Sequence, residues 1–177
     1  MVMIDLITGF LGSGKTTFLK KYAEYLMDQG LHIGILENDF GAINVDMLML
    51  HELRGDQCEL EMIAGGCDAE SHRRRFRTKL ISMRMCGYDR VLVEPSGIYD
   101  VDEFFDVLRE EPLDQWYEIG NVIAILDARL EKNLSQQADY LLASEAANAG
   151  KVILSHADAA TREQCEDTVA HLNRALE

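Results

Sequence analysis

The segment Gly9-Phe10-Leu11-Gly12-Ser13-Gly14-Lys15-Thr16 satisfies the pattern G-x-x-x-x-G-K-[ST] at every position. It constrains the fold strongly, because such a loop works only between a strand and a helix. The apolar run 3–7 precedes it, and helical periodicity follows over 16–29, carried by Phe18, Leu19, Tyr22, Ala23, Tyr25 and Leu26. Glycines in the loop let backbone N–H groups converge on phosphate oxygens with no Cβ in the way. The start of the helix adds about half a unit of positive charge. Gly12, Ser13, Gly14, Lys15, Thr16 and Thr17 are therefore the expected contacts to a nucleoside triphosphate. Lys15 supplies a point charge for the β- and γ-phosphates, and the Thr16 hydroxyl a ligand for Mg²⁺.

Further apolar runs suited to buried strands recur at 32–37, 90–94, 122–126 and 151–155, with a weaker one at 58–63. Helical periodicity occupies 73–86, 101–110, 134–148 and 161–176. Strands alternating with helices predict an α/β fold: a three-layer, mostly parallel sheet with helices on both faces, of the P-loop NTPase type. The 177 residues fit one domain large enough to bury a core.

The formal net charge of −14 repels nucleic acid and anionic membrane, so neither is an expected partner. No apolar run approaches the roughly 20 residues of a membrane span, and the first residues lack a basic leader region. Cys58, Cys67, Cys86 and Cys165 form no C-x-x-C pair, disulfide framework or closed zinc site. A cytoplasmic location with reduced thiols is expected. One basic run, His72-Arg73-Arg74-Arg75-Phe76-Arg77-Thr78-Lys79, breaks the acidic trend. It reads either as a solvated helix face or as a contact for a phosphate or an acidic partner.

Two more segments carry chemistry. Val91-Leu92-Val93-Glu94-Pro95-Ser96-Gly97 puts a carboxylate at the end of an apolar strand. A phosphate-loop enzyme places its magnesium-side acid there, so Glu94 is expected to hold the metal directly or through water, while Gly97 lets an N–H approach the γ-phosphate. The strand at 32–37 ends in Glu37-Asn38-Asp39-Phe40-Gly41. Ligands in doubly wound sheets sit beyond the carboxyl ends of strands. Glu37 and Asp39 thus suit the magnesium ion, the attacking water or a second metal; the same residues also suit a tight turn.

Taken in order, G-F-L-G-S-G-K-T-T, E-N-D-F-G-A-I-N-V-D, V-E-P-S-G-I and I-L-S-H-A-D resemble the CobW-type GTPases, relatives of the HypB and UreG nickel-insertion GTPases. The resemblance runs from residue 1 to about 158. It implies GTP and Mg²⁺ as ligands, slow hydrolysis, and a role as a metal chaperone for a transition metal such as Zn²⁺. A client or partner protein is expected, and a homodimer is a further expected partner, since no arginine finger is obvious in the sequence. Such chains continue into a second domain, so residues 1–177 are expected to form the GTPase domain alone.

The chain departs from the family pattern at two places. Where the family carries Gly-Cys-x-Cys-Cys, this sequence has Gly66-Cys67-Asp68-Ala69-Glu70-Ser71-His72. Cys67 alone remains of the thiolates that select soft metals. It stands either as a lone cysteine or as one ligand of a looser site with Glu70, His72 and Glu37. At base recognition the family's Asn-Lys-x-Asp becomes Ser155-His156-Ala157-Asp158. Asp158 keeps the guanine-reading carboxylate, and His156 offers a flat ring to stack on the purine. Asp158 also suits a helix N-cap.

Three functions fit these motifs: a slow GTPase serving metal traffic, a nucleotide-dependent protein switch with negligible hydrolysis in which the segment 39–50 moves, and a small-molecule kinase. A kinase would need an arginine lid, for which 73–77 is the only source in sequence, and it leaves Asp158 unexplained.

Overall fold

The computed structural model describes residues 1–10, 12–39, 45–64, 68–95, 101–130 and 134–177. In chain order these form β1 (Val2–Gly9), α1 (Lys15–Asp28), β2 (Ile33–Asp39), α2 (Val45–His51), β3 (Cys58–Ala64), α3 (Ala69–Arg84) and β4 (Arg90–Glu94). Then follow α4 (Val101–Leu108), α5 (Leu113–Trp116), β5 (Tyr117–Asp127), α6 (Gln136–Asn148), β6 (Lys151–Ser155) and α7 (Arg162–Ala175). The strands form one sheet in the order β3-β2-β4-β1-β5-β6, and every pairing in it is parallel.

The three expected layers are present. Strand side chains alternate between faces, so Leu36, Val91 and Val93 meet Phe76, Leu80 and Phe104 of α3 and α4. Ile33, Ile35 and Leu92 meet Leu19, Ala23 and Leu26 of α1 on the other face. Leu126, Leu142, Ala146 and Leu172 close a smaller cluster around α6 and α7. Both faces of the inner strands are covered, which is why those strands read as continuous apolar runs rather than alternating ones.

Among the differences from the sequence reading, three have a cause or placement visible in the structure. Helix α2 occupies part of the segment 39–50 assigned to a switch. Helix α3 starts four residues early, because the Asp68 carboxylate accepts the Ser71 N–H at 2.8 Å and caps it. Strand β5 begins at Tyr117 rather than 122, hidden in sequence by Glu118, Gly120 and Asn121. Its register against β1 shifts between Ile4 and Leu6, and buried Asp5 fills the irregularity. Asp5 accepts the Asn121 N–H at 2.6 Å and the Tyr22 hydroxyl at 2.8 Å, and pairs with Arg90 at 3.3 Å. A Cβ on Gly120 would lie 2.2 Å from Asp5 Oδ1, so only glycine fits.

Candidate functional site

The carboxyl ends of β1, β2, β4, β5 and β6 lie at one edge of the sheet, and the site is built there from what each strand delivers. Strand β1 runs into the glycine loop. Gly9 has φ +145°, and a Cβ on it would lie 2.3 Å from the Ile125 carbonyl oxygen. Gly14, with φ 90°, caps α1 without any side-chain bond, leaving the first helical N–H groups to face outward. Lys15 and Thr16 then open the helix and are both buried, while Thr17 is exposed.

Strands β4 and β2 supply acids at this edge. Thr16 Oγ1 donates to Glu94 Oε1 at 2.8 Å, and Lys15 Nζ donates to the Pro95 carbonyl at 3.3 Å. Glu37 stands directly opposite Glu94 in the β2–β4 register, and each is only 3% exposed. Lys15, Thr16 and Glu94 thus lie together, with Glu37 beside Glu94. Asp39 ends β2, but its side chain lies outside the described residues, as do Gly97 and Cys67.

Strand β6 brings the other wall. Ser155 Oγ donates to the carbonyl of Ser13, tying this strand to the glycine loop across 142 residues. His156 takes a left-handed backbone, φ 53°, and a Cβ on Gly14 would lie 3.7 Å from its Cε1. Its Nδ1 lies 3.0 Å from Asp127 Oδ2. Asp127 also accepts the Arg129 N–H at 2.8 Å and two guanidinium bonds at 3.2 Å. Burial pushes the Asp127 carboxyl up, but the bonds from Arg129 outweigh it and hold it below the ordinary carboxylate range. Asp158 lies exposed in the turn after β6, where its charge acts on Arg129. The helix-cap role open to Asp158 in sequence belongs instead to Thr161, which forms a capping box with Gln164.

The looser metal set does not assemble among the described residues. Glu70 is exposed and reaches Arg74 at 3.4 Å, whereas His72 is buried and its Nδ1 meets Glu103 of α4 at 2.7 Å. No group of three or more His, Cys, Asp or Glu side chains able to hold a metal occurs among the described residues. Within the proposed arginine source, Arg73 and Arg77 both pair with Glu110.

Sequence reasoning missed Asp127 and Arg129. The signal was there, since Asp127 ends an apolar strand just as Glu94 does. It also missed Glu145 of α6, which is buried among Phe10, Leu126, Leu142 and Leu172. Burial pushes its carboxyl up to about 7, against the charge of Lys15.

A parallel sheet whose inner strand passes through a glycine loop into a helix, with the helix-start threonine bonded to the acid of the next strand, defines a P-loop nucleotide-binding domain. Residues 3–177 match the nucleotide-binding domain of CobW/HypB/UreG, and the chain belongs to that family. The zinc chaperone YjiA of Escherichia coli K12 is 28% identical over 186 residues, which take in 97% of this chain and 55% of that protein. The zinc chaperone YeiR of the same organism is 31% identical over 157 residues, or 85% of this chain and 47% of that one. The chain thus spans about half the length of the curated relatives it matches. Among solved structures, Zn(II)-bound YjiA GTPase from E. coli superposes with a TM-score of 0.59 at 21% identity, over 97% of this chain and 54% of that one. The receptor FtsY from Elizabethkingia anophelis in complex with GDP gives 0.63 at 18% identity, over 97% and 54%. Both show the fold.

Proposed function

We propose that residues 1–177 form one nucleotide domain that binds GTP with Mg²⁺ and hydrolyses it slowly in the service of metal traffic. The observation that carries this reading is the bond from Thr16 to Glu94 beside Lys15. A hydroxyl and a carboxylate converging at a helix start are hard oxygen donors, which suit Mg²⁺. The buried Ser13 hydroxyl, with no hydrogen-bond partner among the described residues, suits a phosphate oxygen.

In this reading the N–H groups of Gly12, Ser13 and Gly14 and the Lys15 ammonium hold the phosphates, with Thr17 next to them. Thr16 and Glu94 would hold Mg²⁺, which when bound would neutralise phosphate charge. Glu37, beside Glu94, orients the attacking water. A P–O bond forms from that water as the bond to the β–γ bridging oxygen breaks, the water's proton passes to a phosphate oxygen, and GDP and inorganic phosphate leave. Asp39 and Gly97 join this set on sequence grounds. Asp158 accepts from the guanine N–H groups, and His156, braced by Asp127, packs on the base. The pairing of Arg73 and Arg77 with Glu110 and of Arg129 with Asp127 supports the slow turnover of this reading. Zn²⁺ is the cargo the names of both relatives suggest, with Cys67 at the family's thiolate position, and its receiver would be a client protein or a second copy of the chain.

Steady-state phosphate release from GTP and from ATP, with Mg²⁺ and with EDTA, tests this. Mg²⁺-dependent release from GTP is expected. Binding without release would make the domain a switch, and faster release from ATP would refute the guanine assignment.

A further inference from the structure

Helix α3 concentrates positive charge on an acidic molecule. It carries Arg73, Arg74, Arg75, Arg77, Lys79 and Arg84, six of the 17 Lys and Arg residues of a chain with net charge −14. Helical spacing sorts them. His72, Phe76, Leu80 and Met83 are buried against the sheet. Arg73 and Arg77 turn to one flank and meet Glu110. Arg74, Arg75, Thr78 and Lys79 turn to the other flank, where with Met62 and Ile63 they line an open cleft of about 380 Å³.

The floor of that cleft is an edge strand. Among the described strands, β3 pairs only with β2, so its outer side presents backbone N–H and C=O groups to whatever comes alongside. Cys58 is already engaged, because it exchanges backbone hydrogen bonds with Gly55. The run from 59 to 63 remains. Of the strand's own acids, Glu61 is neutralised by Lys79 at 2.6 Å, while Glu59 keeps its charge and accepts the Tyr88 hydroxyl at 2.6 Å. Among the described residues the Arg74 guanidinium pairs with Glu70 at 3.4 Å, with the two side chains 76% and 84% exposed. An exposed pair of that kind contributes little, so the guanidinium can turn to an incoming carboxylate at small cost.

We propose that the outer edge of β3 and the cationic flank of α3 dock an extended acidic segment of a partner protein. Its backbone adds to β3, and its carboxylates meet Arg74 and Arg75 while an apolar side chain enters beside Met62. Charge complementarity selects this occupant. A lysine-rich segment meets cations. A long polyanion such as RNA gains affinity from roughly six to ten phosphate contacts, and on this chain those beyond the cleft fall on a surface of net negative charge.

The test titrates the whole chain with a short fluorescent peptide alternating Glu and Thr, against a Lys and Thr control and a single-stranded RNA oligonucleotide, while amide exchange is followed. The Glu peptide binds and the Lys peptide does not. Binding weakens with added salt and weakens roughly tenfold or more in Arg74→Glu/Arg75→Glu. GTP affinity of that variant is unchanged, which separates this site from the nucleotide site. Protection on the wild-type chain appears at amides in 59–63, a result that does not depend on the variant folding. Equal binding of the two peptides, unaltered affinity in the variant, or protection confined elsewhere overturns the proposal. Tighter binding of the RNA, or protection of 59–63 that rises with protein concentration without peptide, overturns it in favour of another occupant.

Discussion

Thr16 Oγ1 donates to Glu94 Oε1 at 2.8 Å, although 78 residues separate the two in sequence. Parallel pairing of β1 with β4 makes this possible, since it puts the loop after β1 and the acid ending β4 side by side. Removing the charge while keeping the shape isolates the metal term. Glu94→Gln is expected to weaken GTP binding in Mg²⁺ by roughly tenfold or more, or about 1.4 kcal/mol. In EDTA it should match the wild type. Titration with a fluorescent GTP analogue in both buffers checks it, and an equal loss in EDTA would mean that Glu94 acts on the fold rather than on the metal.

Base preference is expected to rest on Asp158. Asp158→Ala leaves guanine N–H groups without their acceptor and should cost about 2 kcal/mol in GTP affinity, with ATP affinity unmoved. His156→Ala should cost less and affect both nucleotides, because ring packing does not read the base edge. Competition of GTP and ATP against one labelled nucleotide separates the two effects.

Glu145 makes stability depend on pH. Its carboxyl is pushed from 4.5 up to about 7 by burial, so between those values the folded chain keeps a proton that the unfolded chain has released. The associated stability is complete below about 4.5, falls as pH rises through about 7, and is absent above it. Glu145→Gln cannot ionise and should exceed the wild type in stability at pH ~8 by up to about 3 kcal/mol, with little difference at pH ~4.5. Urea unfolding at the two pH values measures this.

Asp5 is fully buried and braced by Arg90, Tyr22 and Asn121. Asp5→Ala leaves the Arg90 charge without its partner in the sheet and should destabilise by about 3–5 kcal/mol. Gly120→Ala drives a methyl into the same carboxylate and should cost about 1–3 kcal/mol. Denaturant midpoints check both. A neutral result for Gly120→Ala would contradict the placement of that bend.

The layers and the position of the glycine loop between β1 and α1 were legible because their signals are local. The glycine loop fixes its own backbone, and inner strands buried on both faces read as apolar runs. Glu94 was found from its place at a strand end, and Glu37 likewise. What stayed hidden depends on pairing between distant segments. The early start of β5 is polar in sequence because Asp5 on β1 organises it. The clasp of His72 to Glu103 joins α3 to α4, and no spacing within either helix announces it. Asp127 obeyed the rule that found Glu94, and its role emerges only beside His156.

The central claim is that the loop at 9–16 holds a guanine nucleotide. Equilibrium titration of a fluorescent GTP analogue in Mg²⁺, competed with GTP, GDP and ATP, for the wild type and Lys15→Ala, tests it most directly. The account predicts displacement by GTP and GDP at lower concentration than by ATP, and a loss of roughly tenfold to a hundredfold in GTP affinity on removing the Lys15 ammonium. Equal competition by ATP, or undiminished GTP binding in Lys15→Ala, would contradict it.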